Sequence, residues 1–222
     1  MKLERFNSLD QNSINAALKV LKSGKLSPFV GNWKNDKIVG SFYGGKNVQK
    51  LEEHFRKKFK VNYAIAVNSW TSGLICAVGA IDTKPGDEII VSTWTMCASA
   101  TAILHWMAVP VFADIDNETF NINLKTIKKC YTKRTKAIIV PDIMGQSAQI
   151  DEIMKFAKKK KIFVISDSAQ AIGIKYKNKY AGTLAHIGGY SFNYHKPINC
   201  GEGGMLVTNS KKFALKMYLI RN

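Results

Sequence analysis

The chain has 222 residues, with 33 Lys+Arg against 16 Asp+Glu for a formal net charge of +17, and 46% of its residues are hydrophobic. That length gives room for one α/β domain, or one and a fraction, with a sizeable core. The composition is that of an ordinary globular protein and excludes disordered and fibrous classes. No run approaches the roughly 18 apolar residues that a membrane span requires. The stretch Met1 to Asn7 lacks an apolar signal region, so the cytoplasm is the expected location. Cys76, Cys97, Cys130 and Cys200 show no CxxC spacing and read as reduced structural residues. The positive charge raises nucleic-acid binding as an alternative. Lysines are spread along the chain, however, with the one dense run, Lys158 to Lys161, closing a helix where it complements the dipole. Arginine, the better residue for bidentate contacts, occurs only at 5, 56, 134 and 221. Solvated lysine faces account for the charge, and steering of an anionic substrate is a further use for it.

In chain order, residues 1 to 40 are polar, with a short helix over Asn12 to Ser23 that turns Leu18 and Leu21 inward. Val48, Leu51, Phe55 and Phe59 keep helical spacing in a following amphipathic helix. Tyr63 to Val67 is a short apolar strand. The polar turn Asn68 to Ser72 comes next and leads into an apolar helix from Gly73 to Ile81. A strand, a polar turn and a helix N-terminus form a ready anion site, because free backbone N–H groups point outward there. A plain Ser/Thr helix cap explains the same residues. Glu88 to Ser92 is a strand, followed by Trp94 and a helix reaching about Met107, and Val109 to Ala113 is the next strand. Asp114 and Asp116 read as loop and capping residues, since two carboxylates with no histidine nearby are weak metal ligands. A helix over Ile122 to Tyr131 and a strand over Lys136 to Val140 follow. Ile150, Ile153, Met154 and Ala157 then share one helix face ahead of the strand Ile162 to Ile165. This alternation predicts one three-layer α/β domain whose mostly parallel sheet has helices on both faces.

Two stretches carry the chemistry. Asp167, in Ser166-Asp167-Ser168-Ala169-Gln170-Ala171-Ile172-Gly173, falls at the carboxyl end of a buried strand, the functional edge of such a sheet. Helix capping is the plainer reading of that aspartate. The second stretch runs from Gly189 to Thr208, where Lys196 sits among aromatics and glycines, unlike the lysines of the polar runs. A desolvated amine loses proton affinity and can attack a carbonyl, although a solvated lysine in a hairpin fits the local sequence as well. Gly201-x-Gly203-Gly204 is not a GxGxxG after a strand, so dinucleotide binding has little support.

Ser191-Phe192-x-x-x-Lys196 followed by Gly201-Glu202-Gly203-Gly204 and an apolar strand resembles the Schiff-base segment of the DegT/DnrJ/EryC1/StrS family. These are fold-type-I, pyridoxal-phosphate-dependent sugar aminotransferases. Asp167, Ala169, Gln170 and Gly173 match the family's Asp-x-Ala-(His/Gln)-x-x-Gly, and Gly45 to Glu52 matches its Gly-x-x-Val-x-x-(Phe/Leu)-Glu. The resemblance runs from about Gly45 to the end. It implies pyridoxal 5'-phosphate as cofactor, with Lys196 as the internal aldimine lysine and Asp167 keeping the ring nitrogen protonated. It further implies Gln170 on the ring hydroxyl oxygen, Trp94 stacked on the ring, and Ser191 with Thr71 on the phosphate. The family's Ser-Gly-Thr turn has Trp70 in place of the glycine here, so Trp70 joins the phosphate candidates as a departure. Family dehydratases carry histidine at the lysine position. Here His195 precedes Lys196 without replacing it, which favours transamination. The implied reaction moves an amino group from glutamate to a nucleotide-linked keto sugar, in a homodimer. The expected layout is an N-terminal segment at 1–44 and a cofactor-binding large domain at 45–222, without the family's C-terminal small domain. A truncated or non-catalytic cofactor-binding paralogue is the main alternative, and a basic nucleic-acid-binding α/β domain the lesser one.

Overall fold

The computed structural model describes residues 9–27, 29, 31–34, 37–40 and 42–222. Two compact units are distinguished, one taking in the chain up to Lys50 together with Asn222, the other Leu51 to Arg221. The division falls inside a helix, six residues beyond the boundary before Gly45 expected from sequence.

In the first unit, helix α1 (Gln11–Ser23) begins where the Asp10 carboxylate accepts from the Ser13 N–H at 2.8 Å, and it ends on left-handed Gly24. Both termini follow ordinary capping rules. Leu18 and Leu21 are 45% and 61% exposed, so the inward face expected for them is corrected: no residue of α1 is buried. A hairpin of β1 (Gly31–Lys34) and β2 (Lys37–Gly40) follows, and α2 (Lys46–Phe59) crosses the unit boundary.

The second unit continues with β3 (Tyr63–Val67), α3 (Trp70–Ala80), β4 (Glu88–Ser92), α4 (Ala98–Leu104), β5 (Val109–Ala113), α5 (Leu124–Cys130) and β6 (Thr135–Pro141). After a 3-10 turn at Ile143–Gly145 come α6 (Ile150–Lys160) and β7 (Phe163–Asp167). The small hairpin β8 (Lys175–Tyr176) and β9 (Lys179–Tyr180) precedes β10 (Ile187–Ser191), β11 (Gly204–Thr208) and α7 (Lys211–Arg221). Seven strands form one sheet in the order β3-β11-β10-β7-β6-β4-β5. Only β11 runs antiparallel to its neighbours; the other pairings are parallel. Every residue of β4, β10 and β11 is buried, as expected of strands covered on both faces.

The pleat sends alternate residues to opposite layers. Ala137 and Ile139 of β6 join Leu74, Ala77, Ala102, Ile103 and Met217 from α3, α4 and α7. Ile138 and Val140 pack instead with Ile127, Ile153 and Ala157 from α5 and α6. Full burial of one such side chain contributes about 2 kcal/mol. Phe55 and Phe59 of α2 pack with Tyr190, Met205 and Val207, while Leu51, expected on the same stripe, is exposed. The inward position one residue on is Glu52, whose carboxylate meets Arg221 at 3.0 Å and the Ala66 N–H at 2.9 Å. Among the described residues no helix is long and apolar enough to cross a membrane.

Candidate active site

β7 lies mid-sheet between β6 and β10, so its last residue, Asp167, opens at the centre of the sheet's carboxyl edge. Its register partners are Pro141 on β6 and Gly189 on β10. A cleft of about 220 Å³ occupies this edge. Into it come Trp70 and Thr71 from the start of α3, Thr95 and Met96 after β4, Asp142 after β6 and Gln170 after β7. The connection from β10 to β11 adds Ser191, Asn193, His195, Lys196 and Glu202. Ligand sites of open α/β sheets form at this edge. A larger groove of about 720 Å³ beside α6 and the β8–β9 hairpin contains neither Asp167 nor Lys196. There His186 Nδ1 accepts from the Val164 N–H and Tyr176 donates to Asp151, which are structural bonds. Volume is therefore a poor guide to the chemistry here.

Asp167 is 6% exposed, and both its oxygens are engaged. Trp70 Nε1 donates to Oδ1 at 2.6 Å, and Ser99 Oγ, on α4, donates to Oδ2 at 2.7 Å. Burial pushes this carboxyl above its ordinary pKa; the Ser99 and Trp70 donors, the Ala169 N–H and the Lys196 charge all pull the other way. A second carboxylate, Asp142, lies close by and is also raised by burial. It accepts from Ser168 Oγ and from the Ala148 N–H, the latter at 3.0 Å.

The Lys196 backbone N–H donates to Asn193 O at 2.9 Å, and its carbonyl accepts from Asn199 Nδ2. Its Nζ has no hydrogen-bond or ion-pair partner among the described residues. The loop carrying it is closed by Cys200 N–H to Phe192 O at 3.0 Å and turns at Gly201, whose φ is +87°. At the start of α3, Ser69 Oγ accepts from the Ser72 N–H and Ser69 O from the Gly73 N–H. The N–H groups of Trp70 and Thr71 are left without a protein partner among the described residues, beside the exposed Thr71. Gln170 Oε1 accepts from the Met144 N–H at 2.7 Å, which leaves its amide N–H donors for the cleft. Ser191 Oγ accepts only a long bond from the Asn193 N–H, at 3.2 Å.

Lys196, Asp167, Gln170, Ser191, Thr71 and Trp70 are thus brought to one cleft. The Trp70 side chain is buried, however, and its indole N–H is given to Asp167 rather than left for a phosphate. Trp94 lies outside the lining; it is 53% exposed, with its ring 6.4 Å from that of Phe120. Met96, two residues on, lines the cleft instead. Ser99 was not legible as a site residue, because nothing local in Ala98-Ser99-Ala100 marks a hydroxyl bound 68 residues away. Asp116 accepts from the N–H groups of Glu118 and Thr119, the turn role expected of it. No cluster of three or more metal-ligating side chains occurs among the described residues.

A carboxylate at the end of a central strand, an unpaired lysine and a helix N-terminus flanked by hydroxyls form a donor set suited to a phosphorylated heteroaromatic aldehyde. The comparisons with known proteins give the family. Residues 36–222 match the model of the DegT/DnrJ/EryC1/StrS aminotransferase family. The chain belongs to that family.

GDP-perosamine synthase of Escherichia coli O157:H7 is 42% identical over 189 residues, covering 85% of this chain and 51% of that protein. The aminotransferase from Psychrobacter cryohalolentis superposes with a TM-score of 0.87 at 33% identity, covering 98% of this chain and 52% of that one. The E. coli GDP-4-keto-6-deoxy-D-mannose-3-dehydratase, solved with bound hydrated PLP, superposes with a TM-score of 0.81 at 27% identity, covering 94% and 51%. The sheet is that of fold-type-I aminotransferases, and the chain spans about half the length of the curated relatives it matches.

Proposed function

We propose that the chain forms the cofactor-binding part of a pyridoxal-phosphate-dependent aminotransferase that moves an amino group from glutamate to a nucleotide-linked keto sugar. The observation that carries this reading is the meeting of Asp167 and the unpaired Lys196 in one mid-sheet cleft. Pyridoxal phosphate, when bound, supplies an aldehyde and an electron-accepting ring. Lys196 Nζ is the amine that attaches to that aldehyde and, when free, carries a proton as general acid–base. The Asp167 carboxylate favours a protonated ring nitrogen. Ser191, Thr71 and the N–H groups at the start of α3 are the donors for phosphate, the last favoured by the helix dipole. The amide N–H of Gln170 suits a ring oxygen, and Trp94 and Met96, both on the segment after β4, are the side chains available to cover a ring.

The substrate class draws on the GDP-perosamine synthase relative, and the positive charge of the chain suits an anionic nucleotide sugar. A homodimer in the cytoplasm completes the reading. Transfer is preferred to dehydration because Lys196 holds the position at which family dehydratases carry histidine. The test is an absorption titration with pyridoxal phosphate. A yellow band near about 420 nm should grow to one equivalent and be bleached by L-glutamate. Absence of the band, or a band that glutamate leaves untouched, would contradict the proposal.

A further inference from the structure

Where the family turn has glycine this chain has Trp70, and its ring occupies space that glycines leave open. A Cβ on Gly189 of β10 would lie 2.2 Å from the ring, and one on Gly73 would lie 2.6 Å from it. The indole is therefore held by the backbone of the strand beside β7, with its N–H directed at Asp167 Oδ1. An indole N–H only donates, so Oδ1 is confined to accepting. On the other oxygen, Ser99 Oγ lies 2.7 Å from Oδ2 and 3.1 Å from Thr95 Oγ1. A proton given by Thr95 to Ser99 commits the Ser99 proton to Asp167. Both arms favour the charged form of a carboxylate that burial alone would neutralise.

We propose that Trp70 and Ser99 are positioning residues that grip the Asp167 carboxylate by its two oxygens and keep it fixed and ionised toward the cleft. The inference deepens the function proposed above and rests on it for the ligand that Asp167 faces. The grip itself is a property of the protein alone. Other charged groups act on Asp167 from neighbouring elements. Lys196 on the β10–β11 connection favours its ionisation and Asp142 at the end of β6 opposes it, while His195 and Glu202 line the same cleft.

The test uses the cofactor-free protein, so that loss of the proposed function would leave it intact. In protein labelled with carboxyl-¹³C aspartate, the Asp167 resonance is assigned with Asp167→Asn and titrated in the parent, in Trp70→Phe and in Ser99→Ala. Each variant should raise the Asp167 midpoint by about one pH unit, the scale of one hydrogen bond to a charged group. Ser99→Thr, which keeps the hydroxyl, should restore it. Independently of whether Trp70→Phe folds, one of the four tryptophan indole ¹H–¹⁵N resonances of the parent should follow the Asp167 titration and shift in Asp167→Asn. Midpoints unchanged in the variants, or no indole resonance that follows Asp167, would overturn the proposal and leave Trp70 and Ser99 as packing residues.

Discussion

The Asp167 carboxylate ends a strand in the middle of the sheet and accepts side-chain donors on both oxygens. Lys196, across the same cleft, sits on a loop between two strands and is tied down only through its backbone. In the proposed function the two groups have opposite tasks. A carboxylate that tunes a ring nitrogen must keep its charge and position, so it is placed where neighbouring strands and helices fix it. An amine that attaches, lets go and carries a proton must swing, and any hydrogen bond it made in the resting protein would resist that movement. The fold supplies each by location, rigidity from the central strand and freedom from the β10–β11 connection.

If that contrast is right, Lys196→Ala should cost activity and almost no stability. Amino transfer should fall by at least about 10⁴-fold, roughly 5 kcal/mol of barrier. Its urea midpoint should match the parent's, as for a surface substitution within about 0.5 kcal/mol. Asp167→Asn should lower transfer by about 10³-fold, roughly 4 kcal/mol, while cofactor is still taken up. Near-normal turnover would show that the anchored carboxylate is structural. Gly189→Ala attacks the rigid side at a residue that does not line the cleft. Its Cβ would meet both the Trp70 ring and Met205 O, the latter at 2.3 Å. Overpacking of this kind should destabilise by about 3 kcal/mol in urea unfolding, and a neutral substitution would mean that the Trp70 ring and the β11 backbone both give way freely.

The smallest expected effect concerns Asp142, whose folded-state carboxyl is raised by burial. A raised group contributes stability that is present below its unfolded pKa, about 3.9, and lost as pH rises through the folded value. The stability of Asp142→Asn relative to the parent should therefore improve between pH 4 and pH 7. Urea unfolding at several pH values checks the sign, and a difference that is flat or reversed would mean that Asp142 is ionised in the fold at low pH.

The parts of this site that could be read in advance are those carried by the family motifs. Asp-x-Ala-(His/Gln)-x-x-Gly singles out Asp167 and Ser-Phe-x-x-x-Lys singles out Lys196, where the strand end and the aromatic and glycine setting alone left helix capping and a solvated lysine open. The alternation of apolar strands with 3.6-period helices likewise conveys a layered, mostly parallel sheet. What stayed hidden depends on partners distant in sequence. Trp70 looks like a substituted phosphate-turn residue until its indole is seen to reach Asp167, 97 positions away. Gly73 and Gly189 were the available hint that a large ring required space there. Trp94 and Met96 lie two residues apart on an irregular segment and both are exposed, so no periodicity marks Met96 as the one that lines the cleft. The β8–β9 hairpin escaped because two-residue strands carry no periodicity. Leu18 and Leu21 have the right spacing for an inward face, but spacing does not show whether a surface exists to receive them.

Trapping the lysine shows whether Lys196 is the residue that carries the cofactor. Protein loaded with pyridoxal phosphate is reduced with borohydride, digested and mapped by mass spectrometry. A single adduct on Lys196 is expected, lost in Lys196→Ala. An adduct on any other lysine, or one that persists in the variant, would contradict it.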